Sequence, residues 1–369
     1  MKLREAVSWL MGTMQRNLIV SLEECCERPL TEKERQLVCI LELVQIENLV
    51  ASSPPQRQRF GRKRHNRRAL ARAFVAKAVY NHPHTRAMIE ALRATPVLRR
   101  LCGFVRRCDI PSESVFSRTF AEFAEMCLGE HVHEAMVEKF VKPGLVGHIS
   151  RDATAIEGRE KPVAKLRPLK PAPRKKGRPR RGEVREPKPE PRLQRQVRQT
   201  AAEALAELPV YCDVGTKKNS KGYKTTWRGY KLHVDVSDCC LPISVALTAA
   251  SVHDSQVAIP LMKTTSVRVD YLYDLMDAAF DARPIYEVSR SLGHVPIIDR
   301  YSRGKDVVPL APHEAARYRE RTVAERFNSR LKEGFGAGNV MVRGAAKVRL
   351  HLMFGVIALF ADQLLKLVC

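Results

Sequence analysis

Residues 230–247 read YKLHVDVSDCCLPISVAL, and this stretch decides the fold. Apolar residues occupy every second position on both sides of its central turn. They are Tyr230, Leu232, Val234 and Val236 before the turn, and Leu241, Ile243, Val245 and Leu247 after it. Alternation with a period of two on both sides of a turn is typical of a β-hairpin. We therefore expect two antiparallel strands with one face turned toward a core.

Shorter patterns around the hairpin extend it into a sheet with helices. Further strands are expected at 146–154, 267–275 and 295–298, and helices at 255–262, 282–292 and 318–333. Along the chain, one strand and the hairpin are followed by helices that alternate with strands. This order predicts an α/β fold in which a mixed sheet is flanked by helices.

The remaining segments define the expected domain organisation. A helical segment at 1–55 ends at a Ser-Ser-Pro-Pro break, and a basic helical region follows at 56–143. The α/β domain is expected at 144–158 plus 206–345, interrupted by a basic, Pro-rich insertion at 159–205. An apolar helix is expected at 346–369. The part of the chain before the sheet is thus predicted to be all-α.

The composition favours a nucleic-acid partner. The chain has 369 residues, and 64 Lys and Arg against 40 Asp and Glu give it a formal net charge of +24. An excess of positive charge on this scale indicates a polyanionic partner. Hydrophobic residues make up 44% of the chain, which is enough for a core and excludes a wholly disordered protein.

The cysteines and the apolar runs favour a cytoplasmic protein. The ten cysteines contain no C-x-x-C pair, which argues against a zinc module or a disulfide framework. Charged residues interrupt the first 20 positions, where a secretory signal needs an apolar run. Polar residues also interrupt 350–367, the most apolar stretch. We expect reduced thiols, no membrane contact and a buried or docking C-terminal helix.

A first basic segment offers candidates for DNA contact. Residues 57–72 are rich in arginine, and no acidic residue occurs between 51 and 89. The candidate phosphate-binding residues are Arg62, Lys63, Arg64, Arg67 and Arg68. A helix after Ser112 also places Ser114, Ser117 and Arg118 where a recognition helix offers groove contacts. A solvated charged helix and an ordinary helical packing unit are the alternatives.

The insertion is a second basic segment. Residues 159–200 carry sixteen Lys or Arg, four Glu and eight Pro, but no aromatic residue. Such a composition buries too little apolar surface to offset its ordering entropy, so we expect 159–205 to be disordered. Its centre, RKKGRPRRG at 174–182, resembles an AT-hook, whose arginines enter a narrow minor groove. Arg178 and Arg180 are candidate DNA-binding residues on this basis, with non-specific phosphate tethering as the alternative.

Three acidic residues lie where a divalent-metal site needs them. Asp152 lies at the end of the first strand, Asp277 lies where the strand 267–275 gives way to a helix, and Glu325 lies on the helix 318–333. Phosphodiester chemistry on two metal ions requires such hard oxygen ligands from separate elements. The other acids of this region are expected to be structural, with a role beside the metal as the alternative for Asp235. They are Asp213, Asp235, Asp254, Asp274 and Asp281.

The helix 318–333 has one polar and one apolar face. At about 100° per residue, the residues on the polar face fall within a narrow arc. They are Tyr318, Arg321, Glu325 and Lys332, and the opposite face carries Val323, Phe327 and Leu331. We expect the apolar face to pack on the sheet and the polar face to cover the strand ends. A solvated amphipathic helix with an ordinary Arg321–Glu325 pair is the alternative.

These residues resemble a known family. The series Tyr318-x2-Arg321-x3-Glu325-x6-Lys332 matches the Y-x2-R-x3-E-x6-K signature of bacterial insertion-sequence DDE transposases. Asp152 and Asp277 are similar to the first and second aspartate boxes of that family. In the second box the usual glycine is replaced by Ala279.

The resemblance implies an RNase H-like catalytic domain preceded by an all-α DNA-binding region. It implies two Mg²⁺ or Mn²⁺ ions held by Asp152, Asp277 and Glu325, while Tyr318, Arg321 and Lys332 hold the transposon end. The implied partners are double-stranded DNA at the inverted repeats and at the target, and a second copy in a homodimer on DNA, within the bacterial nucleoid. Two rival functions stay open: a DNA-binding regulator without chemistry, and an RNase H-like nuclease that does not join strands.

Overall fold

The computed structural model describes residues 18–50, 64–164, 190–218, 222–300 and 309–367. Four of the candidate DNA-binding residues lie outside these ranges, namely Arg62, Lys63, Arg178 and Arg180. The AT-hook-like centre of the insertion lies outside them too.

The described chain before the sheet consists of helices and their connections. The helices are α1 (Val20–Cys26), α2 (Glu32–Val44), α3 (Ile46–Leu49), α4 (Arg67–Val79), α5 (Thr85–Ala94), α6 (Pro96–Leu101), α7 (Glu113–Glu125) and α8 (Leu128–Phe140). Side chains satisfy free backbone N–H groups at helix starts. Thr31 and Glu34 form a capping box at α2, and the Asn66 side chain accepts hydrogen bonds at the start of α4. The predicted helical N-terminal region is confirmed.

Six strands form one mixed sheet. They are β1 (Val146–Glu157), β2 (Asp213–Lys218), β3 (Lys224–Ser237), β4 (Pro242–Ala249), β5 (Tyr271–Met276) and β6 (Val295–Ile298). β1 pairs antiparallel with β3 on one side and parallel with β5 on the other, and β6 adds parallel to β5. β2 and β4 pair antiparallel with successive halves of β3. The predicted mixed sheet and the β3–β4 hairpin are confirmed.

Further helices flank the sheet. They are α9 (Arg192–Arg198), α10 (Ala201–Ala206), α11 (Ser255–Arg268), α12 (Arg283–Ser291), α13 (Pro312–Tyr318), α14 (Thr322–Gly334) and α15 (Ala345–Lys366). α11 is longer than predicted, and β5 begins at Tyr271 rather than at residue 267. The β-branched residues at 264–269 resemble a strand, but the Thr265 hydroxyl donates to Asp235 from within the helix. Here tertiary contacts override the local preference for β structure.

The expectation that 159–205 is disordered is wrong for its last part. Residues 192–206 form α9 and α10, which pack against α11. The Gln196 amide donates to the Gln256 carbonyl at 2.8 Å, and the Lys263 ammonium donates to the Gln196 carbonyl at 2.9 Å. The prediction of disorder used the composition of the whole insertion. It therefore overlooked Leu193 and Leu205, which pack with apolar residues of the domain.

The N-terminal helices and the α/β domain share one hydrophobic core. A single cluster of buried residues includes members of α2, α4, α7 and α8, one face of the sheet, α14 and α15. Phe354 of α15 contributes by packing against Phe74 at 5.6 Å and Phe120 at 6.1 Å between ring centroids. The boundaries drawn at 143 and 346 therefore do not separate independent cores.

α15 is long and apolar enough to cross a membrane, and it is the one helix of the described residues with these properties. However, 89% of its apolar window is buried inside the protein. Core helices of soluble proteins have the same length and composition. The predicted burial of the C-terminal helix is confirmed.

Replacing Gly355 by alanine should destabilise the fold, because α15 closely approaches the end of α14 at this position. A Cβ at residue 355 would overlap the Phe335 carbonyl oxygen and lie 3.0 Å from Leu331 Cδ1. Overpacking of this kind costs about 1–3 kcal/mol of unfolding free energy. Urea unfolding should show this loss for Gly355→Ala. Gly334→Ala is the control, since a Cβ there meets nothing within 4 Å; an equal effect of both substitutions would contradict the prediction.

Candidate active site

Two of the predicted acidic residues lie side by side at the end of the parallel strand pair. The parallel register of β1 and β5 aligns Ser150 with Leu275. Asp152 and Asp277, which directly follows β5, each lie two residues beyond this last pair, and the charge of Asp277 acts on Asp152. Neighbouring strands lie about 4.8 Å apart, and residues two apart in a strand share a face. Asp152 and Asp277 therefore project from the same face of the sheet.

The backbone after β5 fixes the Asp277 side chain. Residues Ala278–Phe280 form a 3-10 turn with Asp277 at its N-terminal cap. Asp277 Oδ1 accepts a hydrogen bond from the Ala279 N–H at 3.0 Å, and Phe280 is buried beneath the turn. One carboxylate oxygen of Asp277 is thus held by the chain.

Helix α14 packs on β1 and β3 and covers Asp152. The Asn328 side-chain amide donates to Asp152 Oδ2 at 3.1 Å, and Asn328 is buried. Glu325 lies one turn earlier on α14 with its side chain 54% exposed, and it accepts a hydrogen bond from Arg321 at 2.7 Å. The structure therefore brings the apolar face of the helix of Glu325 onto the sheet, as its pattern predicts. The helix covers Asp152 within β1 rather than at the end of that strand, because β1 continues to Glu157. Asn328 was missed because an amide carries no charge signal in the sequence.

The helix predicted at 318–333 is confirmed from Thr322 onward, but its first residues belong to a different element. Tyr318 ends α13, residues Arg319–Arg321 form a 3-10 turn, and α14 begins at Thr322. A 3-10 turn has three residues per turn, so positions three apart stay on the same side. The Arg321 guanidinium accordingly lies 5.7 Å from the Tyr318 ring centroid. Tyr318, Arg321 and Glu325 remain neighbours although the helix is broken.

The electrostatics of this region disfavour ionisation of both Asp152 and Asp277. Burial, with a further contribution from nearby Asp277, raises the pKa of Asp152 to about 6. Burial also raises the pKa of Asp277, and the positive charges of Arg321 and Lys217 oppose the rise at both residues. Lys217 of β2 also acts on Lys332, whose own pKa is lowered chiefly by burial. Lys217 was missed because its strand reaches the site only in the folded chain.

The residues present fit a hard divalent cation in part. Within the described chain, no group of three or more His, Cys, Asp or Glu side chains is already arranged to hold a metal. Asp152 and Asp277 nevertheless offer oxygen ligands side by side, and a bound cation would offset the pKa rise that burial causes. Glu325 is the third carboxylate on the covering helix, and it is paired with Arg321.

The other acids of the region have partners in the protein, as expected. Asp254 occupies the position before α11, but its side chain does not cap the helix, and it pairs with Lys231 at 2.9 Å instead. Asp281 accepts a hydrogen bond from the Tyr286 hydroxyl at 3.3 Å. Asp213 accepts from the Ser251 hydroxyl. Asp235 and Asp274 share the buried Arg151.

The described DNA-binding candidates before the sheet differ in their surroundings. Arg64 and Arg68 are exposed. Arg67 forms two hydrogen bonds to the Glu122 carboxylate, at 2.8 and 3.2 Å, and so links α4 to α7. On α7, Ser114, Ser117 and Arg118 are exposed. The structure therefore leaves five of these side chains exposed, whereas Arg67 already has a partner.

Comparison with known protein families gives two matches. The family described as "Transposase DDE domain" matches residues 152–361, and the family described as "Transposase domain (DUF772)" matches residues 25–122. No curated protein and no solved structure matches the chain. The first match implies an RNase H-like fold for the α/β domain, and the mixed sheet flanked by helices agrees with it.

Replacing Asp152 by asparagine should stabilise the metal-free protein at neutral pH. Because the pKa of Asp152 is about 6 when folded and 3.8 ordinarily, the wild type loses stability as the pH rises from about 3.8 to 6, and the loss is complete above pH 6. Asp152→Asn removes that loss, and two pKa units correspond to at most about 3 kcal/mol. Thermal unfolding in EDTA should show the gain at pH 7.5 and its disappearance near pH 4. Asp270→Asn on the surface is the control; a destabilised Asp152→Asn at pH 7.5 would contradict the prediction.

Proposed function

The chain belongs to the DDE transposase family, and on this basis we propose that it cleaves the terminal inverted repeats of its own insertion sequence and joins the freed 3′ ends to target DNA. The observation that carries the proposal is the position of Asp152 and Asp277 on one face of the sheet, beneath the helix that bears Glu325. DNA is the partner that the family implies.

In the proposed site, Asp152, Asp277 and Glu325 are the catalytic carboxylates and the metal ligands. Two Mg²⁺ or Mn²⁺ ions bound there would activate the attacking water or 3′-hydroxyl and stabilise the leaving oxygen. The protein contributes by holding Asp277 through the Ala279 N–H and Asp152 through the Asn328 amide. Both contacts restrict the carboxylates before DNA arrives, which is the preorganisation that catalysis requires.

The cationic side chains around the carboxylates are proposed to bind the DNA end. Arg321 presents a planar fork suited to a phosphate, and its exchange of Glu325 for a phosphate would free that carboxylate for a metal. Lys332 and Lys217 add point charges on the same side. Tyr318 lies against Arg321 and would contact the DNA end beside the scissile phosphate.

More distant cations are proposed to hold the flanking duplex. Arg64 and Arg68 are exposed on the N-terminal side, and Arg62, Lys63 and Arg67 belong to the same basic run. Arg178 and Arg180 of the insertion would add minor-groove or phosphate contacts. We propose that a homodimer assembles on the DNA, in the bacterial cytoplasm at the nucleoid.

Mapped cleavage of the DNA that flanks the gene tests this function. Purified protein with Mg²⁺ or Mn²⁺ should cut at the tips of inverted repeats and join those ends to a target plasmid, and Asp277→Ala should do neither. Cutting without joining would favour the rival nuclease. Tight binding without cutting would favour the rival regulator.

Replacing Glu325 by glutamine should abolish cleavage while preserving DNA binding. The substitution keeps the shape of the side chain but removes the charge of the proposed ligand, so we expect the cleavage rate to fall at least about 100-fold. DNA affinity should stay within about twofold, as measured by fluorescence anisotropy. Glu333→Gln on the exposed side of the same helix is the control. Cleavage at the wild-type rate by Glu325→Gln would refute the assignment.

The charges of the insertion should set part of the salt dependence of DNA binding. Replacing every Lys and Arg in 165–189 by serine should weaken binding and flatten the plot of log affinity against log salt. Each lost phosphate contact lowers the slope by about 0.9. Replacing the prolines of the same segment by alanine keeps its charge and serves as the control. An unchanged slope in the serine variant would mean that the insertion does not touch DNA.

A further inference from the structure

The strand pairing stops short of the two carboxylates. The register between β1 and β5 ends at Ser150 and Leu275, although β1 continues to Glu157 with β3 as its partner. Asp152 and Asp277 both lie beyond this last pair. Backbone hydrogen bonds therefore do not fix the separation of β1 and β5 at the level of the site.

Arg151 bridges the strands at this level from the opposite face of the sheet. Its side chain is 1% exposed, and its Nη2 donates to Asp235 Oδ2 of β3 at 2.7 Å. Its Nη1 lies 3.2 Å from Asp274 Oδ1 and 3.3 Å from Met276 Sδ, both on β5. One guanidinium thus connects three neighbouring strands immediately beside Asp152.

The two carboxylates that hold Arg151 are themselves anchored by the helices behind the sheet. Asp235 Oδ2 also accepts a hydrogen bond from the Thr265 hydroxyl of α11 at 2.6 Å. Asp274 accepts from the Ser289 hydroxyl of α12 at 2.6 Å and from the Tyr271 hydroxyl at 3.1 Å, with His294 Nδ1 at 3.6 Å. The position of Arg151 is therefore determined from several directions.

An ionic cluster of this kind is a costly way to hold a sheet together. Transfer of charges out of water costs several kcal/mol per ion, and apolar residues of similar volume are often as stabilising. What the guanidinium supplies in addition is directional, two-sided bonding. Arg151 and Asp152 are consecutive in β1, so their side chains point to opposite faces of the sheet. The contacts of Arg151 on one face therefore hold the backbone from which Asp152 projects on the other.

We infer that Arg151 is a positioning residue that sets the separation of Asp152 and Asp277 and thereby the affinity of the site for divalent cations. The inference rests on the proposed function of these two carboxylates. Arg151 itself lies on the other face of the sheet and touches neither metal nor DNA. Its loss should therefore weaken metal binding while the DNA surface stays intact.

Two variants separate positioning from stability. Arg151→Lys keeps the buried charge, but one ammonium cannot reproduce the fork that reaches both strands. The triple variant Arg151→Met, Asp235→Asn, Asp274→Asn leaves no buried charge unpaired and keeps oxygen acceptors for Thr265 and Ser289. Arg28→Lys is the control, because Arg28 also forms a fork with one carboxylate, that of Glu34, in the N-terminal helical region and away from Asp152 in sequence.

The measurement is Mn²⁺ binding to the full-length, DNA-free protein, followed by the electron paramagnetic resonance signal of free Mn²⁺. Circular dichroism reports folding, and cleavage is measured as a function of Mn²⁺ concentration. We expect both Arg151 variants to need at least tenfold more Mn²⁺ for half-saturation and to regain cleavage at high Mn²⁺. Their DNA affinity should stay within twofold of wild type, and Arg28→Lys should behave as wild type in every assay.

Unchanged Mn²⁺ binding by a folded Arg151 variant would overturn the inference. Failure of both variants to fold would also overturn it, because the cluster would then serve the fold rather than the site. Failure of the proposed function would give a different result. The wild-type protein would then not cleave DNA, and Asp277→Ala would bind Mn²⁺ as well as the wild type does.

Discussion

The structure depends on strand β1, which is hydrogen-bonded along both edges. Its antiparallel pairing with β3 joins it to the β3–β4 hairpin, and its parallel pairing with β5 brings in the second half of the domain. A parallel partner requires a long connection through helices, and such a connection places the ends of β1 and β5 at the same edge. This pairing brings β1 and β5 together as far as Ser150 and Leu275, and Asp152 and Asp277 lie just beyond that last pair.

The shared core explains how the helical region is fixed relative to the site. α15 follows α14, the helix that carries Glu325, in sequence. It is buried against helices from the N-terminal half. The close approach at Gly355 joins it to the end of α14. The helices that are proposed to hold DNA and the helix that covers the carboxylates therefore share one hydrophobic core, and well-packed interiors transmit small displacements.

The sequence predicted the elements with strong periodicity and the charged residues that they carry. The hairpin, the mixed sheet, the apolar C-terminal helix, and the location of Asp277 after a strand and of Glu325 on a helix were accessible in this way, because each has a local pattern. Asp152 was expected at the end of its strand but lies within β1, which continues to Glu157. α9 and α10 were missed because their few apolar residues are diluted by the charge of 159–205. The roles of Asn328, Lys217 and Arg151 depend on pairing between distant segments, which no local pattern reports.

The pairing of Arg321 with Glu325 bears on how the site is charged before DNA binds. Burial is the main cause of the raised pKa values of Asp152 and Asp277, with a smaller contribution from the charge of Asp277 at Asp152 and from that of Asp254 at Asp277. The hydrogen bond from Arg321 neutralises Glu325 while no substrate phosphate competes for the guanidinium. A phosphate and a cation that arrive together would satisfy both members of the pair at once, so substrate and metal binding should be mutually favourable.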